Sequence, residues 1–170
     1  MTSSFVAVFA ALAIAAAVQT SASAQSITEK AERDEVAFVS KSDPVMAAAM
    51  TKARATLPDF LKLAAAPPAK TEAFAVKVAI REGTNAEYFW IIPFEPKGEA
   101  FTGKLDNTPR LVRNTKMGDT LNFTKAEIVD WMYMDNGAMK GNHTACAVMK
   151  KATQKDRDAF KKRFGLDCDL

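Results

Sequence analysis

The chain has 170 residues, 48% of them hydrophobic and 25% charged, which suits a folded protein with a core of its own and excludes whole-chain disorder. Its 23 basic and 20 acidic residues leave a formal net charge of +3, and the basic residues are scattered, with one short run at Lys161-Lys162-Arg163. So small a balance gives no basic field for nucleic acid.

Residues 5–18 form an uninterrupted apolar run of about 14 residues, the length of a signal-peptide core and short for a membrane span. Ala22-Ser23-Ala24 supplies the small residues of a signal-peptidase site, so cleavage is expected between Ala24 and Gln25. The segment before the run carries no Lys or Arg, a departure from the usual signal pattern. No later stretch is apolar enough to span a bilayer, which predicts an exported protein, periplasmic or extracellular. Residues 25–42 read as a polar tether, and 43–170 as a single α+β domain.

Asp43-Pro44 has the chemistry of a helix start, with Asp at the cap and Pro in the first turn. Met46, Met50, Ala53 and Leu57 then form one apolar stripe, and Pro58 is expected to interrupt the helix or begin a second turn. Pro67-Pro68 marks a linker. Residues 74–80 alternate as a strand, with Phe74, Val76, Val78 and Ile80 on one face and Ala75, Lys77 and Ala79 on the other. Residues 87–94 are apolar on both faces, which predicts a central strand. Strands follow at 101–105 and 121–123.

Thr124 and Glu127 have capping-box spacing, read as a single turn before a strand over 128–134. Asp135-Asn136-Gly137 is a hairpin turn. Residues 144–149 read as a last strand, and Thr153 caps a final helix that carries Phe160 and Phe164 and ends at Gly165. The predicted architecture is a twisted antiparallel sheet of about five to six strands, open or partly closed, with an N-terminal and a C-terminal helix.

Chemistry-bearing motifs are sparse. One histidine and two cysteines cannot assemble a usual zinc shell, and no glycine-rich phosphate loop or nucleophile elbow occurs, so no metal or cofactor is expected. His143 and Cys146 could act as base and nucleophile, but on a strand they would point to opposite faces, and both read as structural. Cys146 and Cys168, the only cysteines, are a candidate disulfide pinning the last helix to the sheet. Glu87-Tyr88-Phe89-Trp90 and Asp130-Trp131-Met132-Tyr133 mix a carboxylate with large rings, a combination that lines ligand grooves and equally builds core strands. Trp131, in phase with Val129 and Tyr133, reads as core. Asp130 reads as an acceptor for backbone N–H groups of the Asn136-Gly137 or Gly141-Asn142 turn. The low-specificity ligand candidates are Glu87, Trp90, Asp130, Tyr133 and Asn142.

The segments DPVMAAAMTKARATLPDFL, FAVKVAI, AEYFWI, FTGKLDNTP, KMGD and IVDWMYMDNGAMKGNHT resemble, in this order, a bacterial family called domain of unknown function 2314, the YegJ-like proteins. Asp130-Trp131-Met132-Tyr133 and Gly141-Asn142-His143-Thr144 are the most specific pieces. Tyr88 stands where many relatives are expected to have histidine, so no imidazole role is carried over there. The resemblance implies one compact domain and brings no catalytic residues with it.

Three functional classes follow. The first is an exported binding or interaction module for a protein or envelope ligand. The second is an envelope hydrolase using Glu87 and Asp130 as acid and base, which requires the two carboxyls to converge in one pocket. The third is an inhibitor or immunity-type protein with a flat charged surface.

Overall fold

The computed structural model describes residues 43–168. Helix α1 (Pro44–Ala65) begins as the sequence predicts: the Asp43 carboxylate accepts from the N–H groups of Val45 at 2.9 Å and Met46 at 3.3 Å. It does not stop at Pro58. The proline sits on the exposed side of the helix. Proline inside a helix costs about 3 kcal/mol. Leu57 and Phe60, flanking it, are each 2% exposed, and burying two such side chains contributes about 3–6 kcal/mol. Packing outweighs the break.

Six strands follow: β1 (Thr71–Glu82), β2 (Asn85–Lys97), β3 (Ala100–Leu105), β4 (Thr120–Thr124), β5 (Ile128–Asp135) and β6 (Ala138–Gly141). They form one open antiparallel sheet in the order β4-β3-β2-β1-β5-β6. β2 is central, as its two apolar faces require. The Thr124–Glu127 capping box forms and closes a single 3-10 turn (Lys125–Glu127) ahead of β5. Asn136 (φ 49°) and Gly137 (φ 79°) make the β5–β6 hairpin, a turn with two left-handed residues.

The last strand expected at 144–149 is instead helix α2 (His143–Met149). The outer hairpin partner of β5 is β6, which the sequence reading passed over. A short apolar run such as Thr144 to Met149 has no period that separates strand from helix. The chain leaves the sheet at Gly141 (φ 79°) and Asn142 (φ 48°) and turns into α2. A Cβ on Gly141 would lie 2.3 Å from the Trp131 carbonyl oxygen, so the position admits glycine alone. Helix α3 (Gln154–Phe164) is capped by Thr153 and ended by Gly165 at φ 68°, as predicted.

Two cores result. Leu57 and Phe60 of α1 pack with Val76, Val78, Phe89, Ile91 and Ile128 on one sheet face. The other end of α1, at Met46, packs with Ala147, Val148 and Met149 of α2, Phe160 of α3, and Leu166. Helix α1 therefore spans both cores. Cys146 and Cys168 are disulfide-bonded with Cα atoms 5.5 Å apart, tying the segment after α3 to α2.

Candidate functional site

Residues paired across an antiparallel ladder share a face, and neighbours along a strand alternate. Lys77 pairs with Trp90 on β2 and with Asp130 on β5, so these three side chains share a face. Glu87 pairs with Ile80, three residues from Lys77 along β1, and so projects from the opposite face. Glu87 and Asp130 are thus separated by the sheet and form no acid–base pair.

Each carboxylate is buried and engaged. Glu87 is 5% exposed and accepts backbone N–H groups from Arg110 (3.0 Å), Leu111 (2.9 Å) and Val112 (3.2 Å). It gathers the donors of the β3–β4 connection and seats Val112, 2% exposed, in the first core. Asp130 is fully buried. One of its oxygens accepts from Trp131 N–H at 2.9 Å and His143 N–H at 3.2 Å. The other accepts the N–H and the hydroxyl of Thr144, both at 2.7 Å. The backbone-acceptor role expected of Asp130 is present, but its distant partners are the first residues of α2, not the Asn136-Gly137 or Gly141-Asn142 turn. Asn142, the residue before α2, makes no side-chain cap of its own, so Asp130 caps α2 from the neighbouring strand.

Lys77 completes this cluster. Its ammonium donates to Thr144 Oγ1 at 3.0 Å and lies 4.9 Å from the centroid of the Trp90 ring, within cation–π range. Burial lowers its pKa below the usual lysine value, and the Asp130 charge pulls it back up. Lys77 and Thr144 were not singled out from the sequence. The available signal was a single charge inside the apolar strand FAVKVAI.

The remaining candidates are dispersed. Tyr133 stacks on Phe74 with centroids 5.1 Å apart, on the α1 side of the sheet. Trp131, read as core, packs against Phe60 at 4.9 Å and donates Nε1–H to the Ala53 carbonyl at 3.0 Å. Asn142 is 7% exposed, and its Oδ1 has no partner among the described residues. His143 and Cys146 are three apart on a helix and so share a side, contrary to the strand reading. Cys146 is no nucleophile, because its sulfur is in the disulfide.

Two concavities lie outside this cluster. One, of about 440 Å³, is an apolar dent lined by Leu61, Phe74, Pro93, Phe94 and Phe101. The other, of about 730 Å³, is a groove bounded by α1, β6, α2 and the disulfide-tied segment after α3. Val45, Ala49, Met139 and Leu166 contribute apolar lining, while Lys52, Lys140, Lys150 and His143 bring polar groups. Burial lowers the His143 pKa; the Asp130 charge raises it and the Lys52 charge lowers it further. Among the described residues, no group of three or more His, Cys, Asp or Glu is placed to hold a metal ion. No helix among them is long and apolar enough to cross a membrane.

An open antiparallel sheet crossed by one long helix, with its buried carboxylates spent on backbone donors, defines a small α+β protein without an assembled carboxylate pair. The chain belongs to the bacterial family described as "Uncharacterized protein conserved in bacteria (DUF2314)", whose model matches residues 43–168. It is similar to the uncharacterized protein YegJ of Escherichia coli, 26% identical over 93 residues that cover 55% of this chain and 61% of that protein. It is also similar to a putative ankyrin repeat protein of Neisseria meningitidis serogroup B, 28% identical over 86 residues that cover 51% of this chain and 34% of that protein. The chain thus spans less than two thirds of each of these relatives. No solved structure matches it.

Proposed function

We propose that the protein is a small exported binding module and that its ligand face is the groove between α1, β6 and α2. The observation that carries this reading is the opposite facing of Glu87 and Asp130. The hydrolase reading needs those two groups in one pocket, and each is already occupied with backbone donors. The groove offers side chains with no such duties, within the size range of ligand sites. An inhibitor or immunity-type protein would present a flat charged surface, and a concavity of about 730 Å³ weighs against it. Export is supported by the apolar run at 5–18, by Ala22-Ser23-Ala24, and by a disulfide of the kind that persists in oxidising compartments.

The export claim is tested by intact-mass analysis of envelope protein. A mature chain starting at Gln25 is expected, and one retaining residues 1–24 overturns it. The groove claim is tested in cells with a photo-crosslinking amino acid at Ala48, an exposed residue lining the groove, and at Ala55, an exposed α1 residue outside it. A discrete adduct from position 48 alone is expected. Equal adducts from both positions, or none from 48, would remove the groove from the reading.

A further inference from the structure

We infer that this groove is an anion site, built for a phosphate or carboxylate head carried on an apolar body. The inference rests on the groove being the ligand face and adds the class of ligand. Three lysines line it, from three separate pieces of chain: Lys52 from α1, Lys140 from β6 and Lys150 from the end of α2. None of the three has an ion-pair or hydrogen-bond partner among the described residues. Among the described lining residues the one carboxylate, Asp167, is paired with Lys161 at 2.7 Å. Three lysines lining one concavity without a partner among the described residues give it a positive balance that an anion would satisfy.

His143 lies in the same wall, where the buried Asp130 carboxylate and the Lys52 ammonium act on it in opposite directions. The His143 Nε2 is buried without a hydrogen-bond partner among the described residues. Part of the lining is apolar, at Val45, Ala49 and Met139. A bare inorganic anion would leave that surface wet. A head with an alkyl or aryl body uses both parts, since removing its methylenes from water is favourable. The same chemistry is presented by a free amphiphilic anion and by the headgroup of an acidic lipid.

The test is calorimetric titration of the exported chain with dodecyl phosphate, inorganic phosphate and dodecyltrimethylammonium. Dodecyl phosphate is expected to bind, inorganic phosphate to bind at least about tenfold more weakly, and the cation not to bind. The triple variant K52Q/K140Q/K150Q replaces exposed side chains, and its denaturation midpoint should not fall. It should weaken dodecyl phosphate binding about tenfold or more, and added salt should do the same to the wild type. Co-sedimentation with phosphatidylglycerol vesicles, set against phosphatidylcholine vesicles, separates the sources. Selective binding to the former indicates a lipid headgroup, and dodecyl phosphate binding without vesicle binding indicates a free ligand. Equal binding of the phosphate and the ammonium amphiphile, or equal binding by the wild type and the triple variant, overturns the anion site. If that happens while the crosslink at position 48 persists, the groove remains the ligand face and only the anion assignment falls; loss of both removes both.

Discussion

Thr144 donates twice to one oxygen of Asp130, through its backbone N–H and through its hydroxyl, each at 2.7 Å. The pair joins β5 to the first turn of α2 inside the protein, and the Lys77 ammonium lies against the same hydroxyl at 3.0 Å. Asp130→Asn keeps the shape and loses the charge. It should lower stability by about 1–3 kcal/mol, read as a fall in denaturation midpoint. Asp130→Leu also strands Lys77 and should cost about 3–5 kcal/mol. Pairing Lys77→Met with Asp130→Leu should recover part of that loss. An unchanged midpoint in Asp130→Asn would mean that the carboxylate is not holding α2.

Glu87 performs the same service for the β3–β4 connection, and hydrogen exchange is the sensitive probe. Glu87→Gln places an amide N–H₂ among three N–H donors. The Arg110, Leu111 and Val112 amides should exchange faster, with a loss of about 1–3 kcal/mol if the local opening is global. Unchanged protection at these three amides would show that the connection is held by other contacts.

His143 gives the fold a pH dependence of definite sign. Its folded-state pKa lies below the ordinary 6.5, chiefly because burial disfavours the imidazolium. The unfolded chain therefore takes up a proton first as pH falls, and stability is lost below about 6.5, down through the folded value. Above that window both states are neutral and the group contributes nothing. Melting temperatures measured from pH 8 to pH 5 should fall for the wild type, and His143→Gln should remove this share of the slope. A slope unchanged by the substitution would assign it to other groups.

Trp131 carries packing and a hydrogen bond at once, and two substitutions separate them. Trp131→Ala should cost about 3–5 kcal/mol, as large aromatic truncations in a core do. Trp131→Phe keeps a ring against Phe60 and loses the bond to the Ala53 carbonyl, for about 1–2 kcal/mol. Equal losses would mean that the ring stacking contributes little.

The Cys146–Cys168 bond closes a loop with a sequence separation of 22, for which the chain-entropy estimate is about 3 kcal/mol. C146S/C168S should lower the midpoint and speed exchange at the Met139 N–H, which donates to the Gly165 carbonyl at 3.0 Å. A midpoint unaffected by reduction would show that packing and the Met139–Gly165 hydrogen bond hold Leu166 without the disulfide.

Where a local signal admits one backbone geometry, the sequence by itself determined the outcome. Asp43-Pro44 starts α1, Thr124 with Glu127 closes a turn, Asn136-Gly137 makes a hairpin, Thr153 and Gly165 bound α3, and the alternation from Phe74 to Ile80 makes a strand. In each case the deciding contacts lie within a few residues. The continuity of α1 through Pro58 was decided by burial of Leu57 and Phe60 on a sheet that no local pattern contains. The helical state of residues 143–149 was likewise a tertiary matter. Seven residues do not repay helix nucleation on their own. They are held by a cap from Asp130, 13 residues before His143, and by packing on Met46 and Phe160. The fate of the two carboxylates depended on strand register, because a single-residue difference in pairing sends a side chain to the other face. Nothing in either segment, Glu87 to Trp90 or Asp130 to Tyr133, carries that register. It is set by which residue of β1 each one meets, Ile80 for Glu87 and Lys77 for Asp130.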